Sequence, residues 1–268
     1  MSADPRAVES LLAFWAGAGV EACYADEPVD RMTAAVPRRP APAGSTAMGT
    51  PPARATRVEA ATGRSIDEAR RQAAEAPDLD ALKTAIANFE GCSLKDAGAR
   101  QAVFARGVRD APVMVIGEAP GADEDIQGAP FVGRAGKLLD RMLAAAGLEG
   151  RVFITNTVFW RPPGNRTPTL AEQQACAPFL ERAVALVRPR LLLLVGGASA
   201  KSVLGQTEGI LSIRGRWFEW RSADGALELP ALPTLHPAFL LRQPAAKKKA
   251  WADLLTLTER LDRPERPT

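Results

Sequence analysis

The chain has a single histidine among 268 residues, His236, so any step that needs an imidazole must use it. Its three cysteines, Cys23, Cys92 and Cys176, are odd in number and far apart, which excludes a disulfide scaffold and suits a reducing compartment. No run approaches the roughly 18 uninterrupted apolar residues of a membrane span. The opening MSADPRAVES carries charges of both signs and no secretory apolar stretch, so a cytoplasmic protein is expected. Charge of one sign is scarce as well. The 34 Lys and Arg against 31 Asp and Glu leave +3, which is compatible with a nucleic-acid partner but too small to argue for one. What is there, 46% hydrophobic and 24% charged residues, describes a globular chain long enough to bury a substantial core.

Residues 1–33 contain a short amphipathic pattern, with Val8, Leu11, Leu12, Trp15 and Val20 on one face. Residues 34–64 read as an Ala/Pro-rich linker; its core, 34–56, holds seven Ala, five Pro, three Arg and no acid. From residue 65 to 268 a single domain is expected. Helical patterns run from Ser65 to Ala74 and from Asp78 or Asp80 through Leu82, Ile86 and Phe89. The apolar runs at 113–116, 152–155, 191–195 and 231–235 look like strands buried on both faces. Helix-period segments at 134–147, 170–188 and 198–205 alternate with them. That alternation predicts an α/β fold, a three-layer αβα sandwich with a central four-stranded parallel sheet and an N-terminal helical extension. In such sheets ligands bind beyond the carboxyl ends of the strands, which singles out the loops 117–133, 156–169, 196–199 and 236–242.

Each loop carries residues with two readings. The first holds Gly117, Glu118, Ala119, Pro120, Gly121, Glu124 and Asp125, then Phe131, but neither a P-loop nor a dinucleotide fingerprint. Phe131 is either a packing aromatic or a stacking platform. Asn156 ends the second strand as a turn residue or as an amide that reads a base edge. Arg161, Asn165 and Arg166 suit a phosphate contact and equally a rigid turn. Gly196 and Gly197 open a helix whose free amides suit an anion, or allow close strand–helix packing. His236 ends the fourth strand, as a structural residue or one facing a ligand. An esterase built on Ser199 and His236 is a weak alternative, because Gly197-Ala198-Ser199-Ala200-Lys201 lacks the second glycine of the nucleophile elbow.

Taken together, GEAPGADEDIQGAPFVGRAGKLLDRML (117–143), ITNTVFWRPPGNRTP (154–168), LLLLVGGASAKSVLG (191–205) and LPTLHPAFLLRQP (232–244) resemble family 4 of the uracil-DNA glycosylase superfamily. The resemblance spans about residues 85–258. It implies an enzyme acting on uracil-containing DNA that flips uracil out and hydrolyses its N-glycosidic bond, leaving an abasic site. By the same resemblance Phe131 stacks on the flipped base, Asn156 pairs with its Watson–Crick edge and His236 donates to uracil O2. Glu118, with Gly117, Ala119, Pro120 and Gly121, positions water, and Glu124 and Asp125 belong to the same loop. Leu240 or Leu241 is the expected wedge into the duplex. Arg161, Asn165, Arg166, Gly197, Ser199, Arg242 and Lys247–Lys249 are candidate DNA contacts, although a lysine triplet is usually a solvated face. A monomer is expected. An inactive uracil- or single-strand-binding protein of the same fold is the alternative.

Two features depart from the pattern. Family 4 members typically hold a [4Fe–4S] cluster on four cysteines. Here Cys92 and Cys176 match two of those positions, while Phe89 and Trp160 stand at the other two. Two thiolates cannot complete a four-thiolate site, so no cofactor is expected. A related branch that captures DNA covalently uses a histidine in a basic insertion. This chain has RPPGNRTP there, so turnover is expected.

Overall fold

Four short apolar runs, each too short for a helix and each bounded by turn residues, form the centre of one sheet. The computed structural model describes residues 53–263, with side chains from residue 63 onward. The helical pattern expected over 1–33, Cys23 and the linker up to residue 52 lie outside the described residues. The elements begin with α1 (Ala53–Glu75), α2 (Leu79–Asn88), α3 (Ser93–Asp96), β1 (Ala105–Gly107), β2 (Val113–Gly117), α4 (Ala122–Gln127) and α5 (Arg134–Ala145). They continue with β3 (Val152–Asn156), α6 (Leu170–Val187), β4 (Leu191–Val195), α7 (Gly197–Leu204) and α8 (Ile210–Ile213). The last are β5 (Phe218–Arg221), β6 (Glu228–Thr234), α9 (Pro237–Arg242) and α10 (Lys247–Asp262).

The sheet order is β1-β3-β2-β4-β6-β5. Its four inner strands, β3, β2, β4 and β6, are mutually parallel, as expected. The sheet has two more strands than expected: β1 and β5 add antiparallel to its rims. Their sequences, ARG and FEWR, bury only Trp220 and carry no apolar run, so backbone pairing rather than pattern makes them strands.

Period-two alternation divides the core between the faces. Met114, Ile116, Phe153, Leu192 and Leu194 share one apolar cluster with Leu82, Ile86, Phe179 and Ala183 of α2 and α6. Val113, Val115, Ile154, Leu191 and Leu193 share the other with Leu139 and Leu143 of α5 and Leu254, Leu257 and Leu261 of α10. Helices therefore cover both faces, giving the expected three layers.

α1 starts at Ala53, inside the segment expected as linker and ahead of Ser65. The two prolines at 51 and 52 precede a stretch rich in Ala and Arg, and those residues favour helix whatever they bury. The Asp78 side chain caps α2 by accepting from the backbone of Asp80 and Ala81 at 3.0 and 2.8 Å.

Candidate active site

The carboxyl ends of β2, β3 and β6 carry Gly117, Asn156 and, two residues on from Thr234, His236. Gly117 and Asn156 are register partners across β2 and β3. Thr157 ties the loops that follow, since its hydroxyl donates to the Glu118 carbonyl at 2.7 Å.

Asn156 is buried, and both its amide nitrogen and its amide oxygen lack any partner. Burying an unpaired amide costs about 1–3 kcal/mol, so a ligand that paired with both atoms would recover it. A β-carbon on Gly117 would collide with the Asn156 oxygen and come within 2.5 Å of the Phe131 ring. Amide and ring thus crowd one point above Gly117, and only glycine leaves room for both.

Phe131 adopts φ 55°, a left-handed conformation costly for a bulky residue, on the order of 1–3 kcal/mol. The surroundings impose it. Arg106 donates to the carbonyls of Pro130 and Phe131 at 2.7 and 3.2 Å and pairs with Asp140 at 2.6 Å. Gly136 of α5 lies so close beneath the Phe131 carbonyl that no side chain fits there. The Glu124 carboxylate accepts three backbone N–H groups, from Gly121 at 3.1 Å and from Val132 and Gly133 at 2.9 Å. It bolts the Glu118 arm of the loop to the Phe131 arm.

His236 opens α9. Its Nδ1 accepts the Ala238 N–H at 3.1 Å, so the neutral ring carries its proton on Nε2. Burial, with the nearby Arg242 charge adding to it, pushes the imidazole down to about 4, so the ring is neutral at physiological pH. The Phe131 and His236 ring centroids are 5.8 Å apart.

These groups surround a cleft of about 570 Å³ lined by Glu118, Ala119, Pro120, Gly121, Glu124, Phe131 and His236 from the expected set. Asn165, Arg166 and Arg242 line it too, and Asn156 lies beneath, out of direct contact with the opening. Ala135, Pro162, Thr167, Ala238 and Phe239 complete the wall. Sequence reasoning passed over these five; they carry no titratable group and are recruited by their neighbours. A larger hollow of about 700 Å³ beside the cleft shares Thr167 and includes Gly197, but none of Glu118, Phe131 or His236. The convergent chemistry belongs to the smaller one.

Several expected contacts lie elsewhere or are engaged within the protein. Ser199 is fully buried with its hydroxyl donating to the Ile116 carbonyl at 2.7 Å, which removes it from DNA and ends the esterase alternative. Leu240 is fully buried with Leu138, Leu235 and Ala250, which removes it as a wedge, whereas Leu241 is exposed. Asp125 is buried away from the cleft, accepting the Arg100 N–H at 2.8 Å. Arg166 holds Glu172 in a two-point ion pair at 2.7 and 2.9 Å, which keeps that carboxyl down at about 2. Arg161 donates to Asn165 at 2.8 Å.

The residues where the resemblance calls for an iron–sulfur cluster do not fit one. The Cys92 and Cys176 sulfurs lie 3.9 Å apart, both buried. Phe89 and Trp160 are buried in the same apolar cluster, with Phe89 edge-on to Phe179 at 5.0 Å and Trp160 edge-on to Phe159 at 6.4 Å. Among the described residues no group of three or more His, Cys, Asp or Glu could hold a metal ion. Two thiols amid hydrocarbon do not make a four-thiolate set.

The family model for the Uracil DNA glycosylase superfamily matches residues 104–255. A "Type-4 uracil-DNA glycosylase" of Pyrobaculum aerophilum is 40% identical over 182 residues, 66% of this chain and 91% of that protein. The protein of the same name from Sulfurisphaera tokodaii is 37% identical over 196 residues, 71% of this chain and 88% of the relative. A third, from Thermotoga maritima, is 37% identical over 142 residues, 52% of this chain and 71% of its own length. With more than half its length matched by the family model, and a cleft at the strand ends that gathers its motifs, the chain belongs to the uracil-DNA glycosylase superfamily.

Proposed function

We propose that this protein is a monofunctional uracil-DNA glycosylase, acting in base excision repair without an iron–sulfur cluster. The observation that carries the reading is the buried, unpartnered Asn156 amide beside the Phe131 ring. Such an amide offers one donor and one acceptor side by side. Uracil presents O4 as acceptor and N3–H as donor, which match it. Cytosine presents an amino group and an unprotonated N3, and either would face the wrong partner.

The base has to leave the duplex to reach this amide, at a cost of a few kcal/mol in unstacking. Phe131 offers its ring to the extruded base. The bond from C1′ to N1 then breaks with its electron pair leaving on uracil, and the sugar becomes oxocarbenium-like. His236 Nε2–H donates toward O2, where the charge develops. By analogy with an oxyanion-hole donor this contributes about 2.7–4 kcal/mol in the transition state. Glu118 holds the water that adds to C1′, and the proton that water gives up neutralises the departed uracil anion. The products are free uracil and an abasic site. Burial that keeps His236 neutral makes it a fixed hydrogen-bond donor here, not a proton donor.

Uracil release from single- and double-stranded oligonucleotides tests the reading. Excision of uracil but not cytosine is expected; no release at equimolar enzyme would overturn it and leave an inactive binding protein. No described helix is long and apolar enough to cross a membrane.

A further inference from the structure

Between α5 and α10 lies a separate hollow of about 350 Å³ that the proposed reaction does not use, although Lys247 and Lys248 in its lining are among the expected DNA contacts. Arg141, Met142 and Ala145 line it from α5, and Lys247, Lys248 and Trp251 from α10. Three of the six are cations and none is an acid. Arg141, Lys247 and Lys248 form no ion pair among the described residues. Trp251 leaves 39% of its surface in solvent, an unusual exposure for an indole.

The hollow and the cleft share no lining residue, but the helices of the hollow also lead to the cleft. α5 lines the cleft with Ala135 and the hollow with Arg141, about 9 Å further along its axis at 1.5 Å per residue. On the other side, α9 lines the cleft with Ala238, Phe239 and Arg242, and one turn at Pro244–Ala246 leads from it into α10. Lys247, Lys248 and Lys249 open α10 with no side-chain cap and no acid in the first turn. Positive charge there opposes the helix dipole, a cost that a bound polyanion would relieve.

An apolar floor with a free indole face and a cationic rim matches one class of ligand better than others. Unpaired nucleic acid presents a π-face on every base and a phosphate between successive bases. A duplex hides the base faces. We propose that the hollow is a subsite for the unpaired strand flanking the flipped nucleotide, with Trp251 stacking one base and Arg141, Lys247 and Lys248 holding its phosphates. The subsite deepens the glycosylase reading of the cleft and rests on it.

The test uses the full chain and a single strand of about 16 nucleotides carrying a cleavage-resistant 2′-fluorinated deoxyuridine. Trp251→Ala binds it about tenfold more weakly than the parent chain, within the range for losing one stacked base. Changing Lys247 and Lys248 to Gln lowers the slope of log affinity against log salt by about 0.7 per lysine. The Trp251→Ala loss persists on strands cut back on one side of the uracil and vanishes on strands cut back on the other. It is much smaller on duplex. Unchanged affinity for the long strand, or equal loss on both shortened strands, overturns the proposal. So does a change in self-association without a change in DNA binding, which would make the hollow a protein-docking face. Uracil release is measured in parallel. Release with Trp251-independent binding sinks the subsite alone, whereas Trp251-dependent binding without release sinks the glycosylase reading and leaves the hollow a strand-binding site.

Discussion

Asn156 is held in an unfavourable setting that the proposed substrate would relieve, His236 is fixed as a neutral donor, and each yields a separable test. Asn156→Asp presents a carboxylate to a base whose O4 also needs a donor. It is expected to reduce uracil excision at least 10²-fold with little loss of stability, measured by single-turnover release alongside thermal melting. Unchanged kinetics would remove the amide from base recognition. His236→Ala is expected to lower the chemical step by about 10²–10³ while binding of uracil-containing DNA stays within a few-fold. A pH series gives a second handle. The folded imidazole titrates at about 4 against 6.5 in the unfolded chain, because burial disfavours the cation. Between those values the unfolded chain takes up the proton and the folded chain does not. From this residue alone, stability is fully present above pH 6.5 and falls as the pH drops toward 4. Excision controlled by this group should stay level from pH 8 to 6 and fail only as the pH approaches 4. An acid limb centred near 6.5 would show that the ring is not buried as described.

At the scale of elements, the loop from β2 to α5 is one mechanical part, and Glu124 is its fastener. Hydrogen bonds to an ionised acceptor contribute roughly 1.5–3 kcal/mol each, and this carboxylate accepts three. Glu124→Gln keeps the size but turns one acceptor into a donor that faces an N–H. A loss of about 2 kcal/mol in stability and at least a tenfold fall in excision rate are expected, from chemical denaturation and single-turnover kinetics. Loss of stability without loss of rate would reduce Glu124 to a scaffold residue. This part was only half legible in the sequence. The strand runs ending at 116, 155 and 195 lie within one residue of the observed β2, β3 and β4, because fully buried strands are written as unbroken apolar stretches. Glu124 and Asp125 are adjacent acids with opposite fates, one fastening the cleft loop and the other turned toward Arg100. Leu240 and Leu241 divide in the same way. A six-residue helix such as α9 has too little periodicity to say which neighbour turns inward. The rim strands β1 and β5 escaped for a different reason, since edge pairing is a property of the partner strand. The N-terminal boundary misled because alanine suits a helix as well as a linker.

For the whole molecule, the joint between the α1–α2 segment and α6 decides what can be cut away. Ala69 and Ala73 are buried, and Arg182 of α6 donates twice to the Ala76 carbonyl at 3.0 and 2.7 Å. Removing residues 1–51 should leave both excision and melting temperature close to those of the full chain, because the compact unit begins at Pro52. Removing residues 1–75 should lower stability by several kcal/mol through exposed core. Equal behaviour of the two truncations would contradict the packing of α1. Trp160→Ala, which empties a large buried site, is expected to cost about 3–5 kcal/mol, measured by denaturant unfolding.

Phe89, Phe159, Trp160 and Phe179 pack with Cys92, Cys176 and aliphatic side chains in the apolar cluster at this joint. Side chains of this kind need no assembly machinery, so a glycosylase sealed in this way, as proposed, draws on no iron to reach its active form.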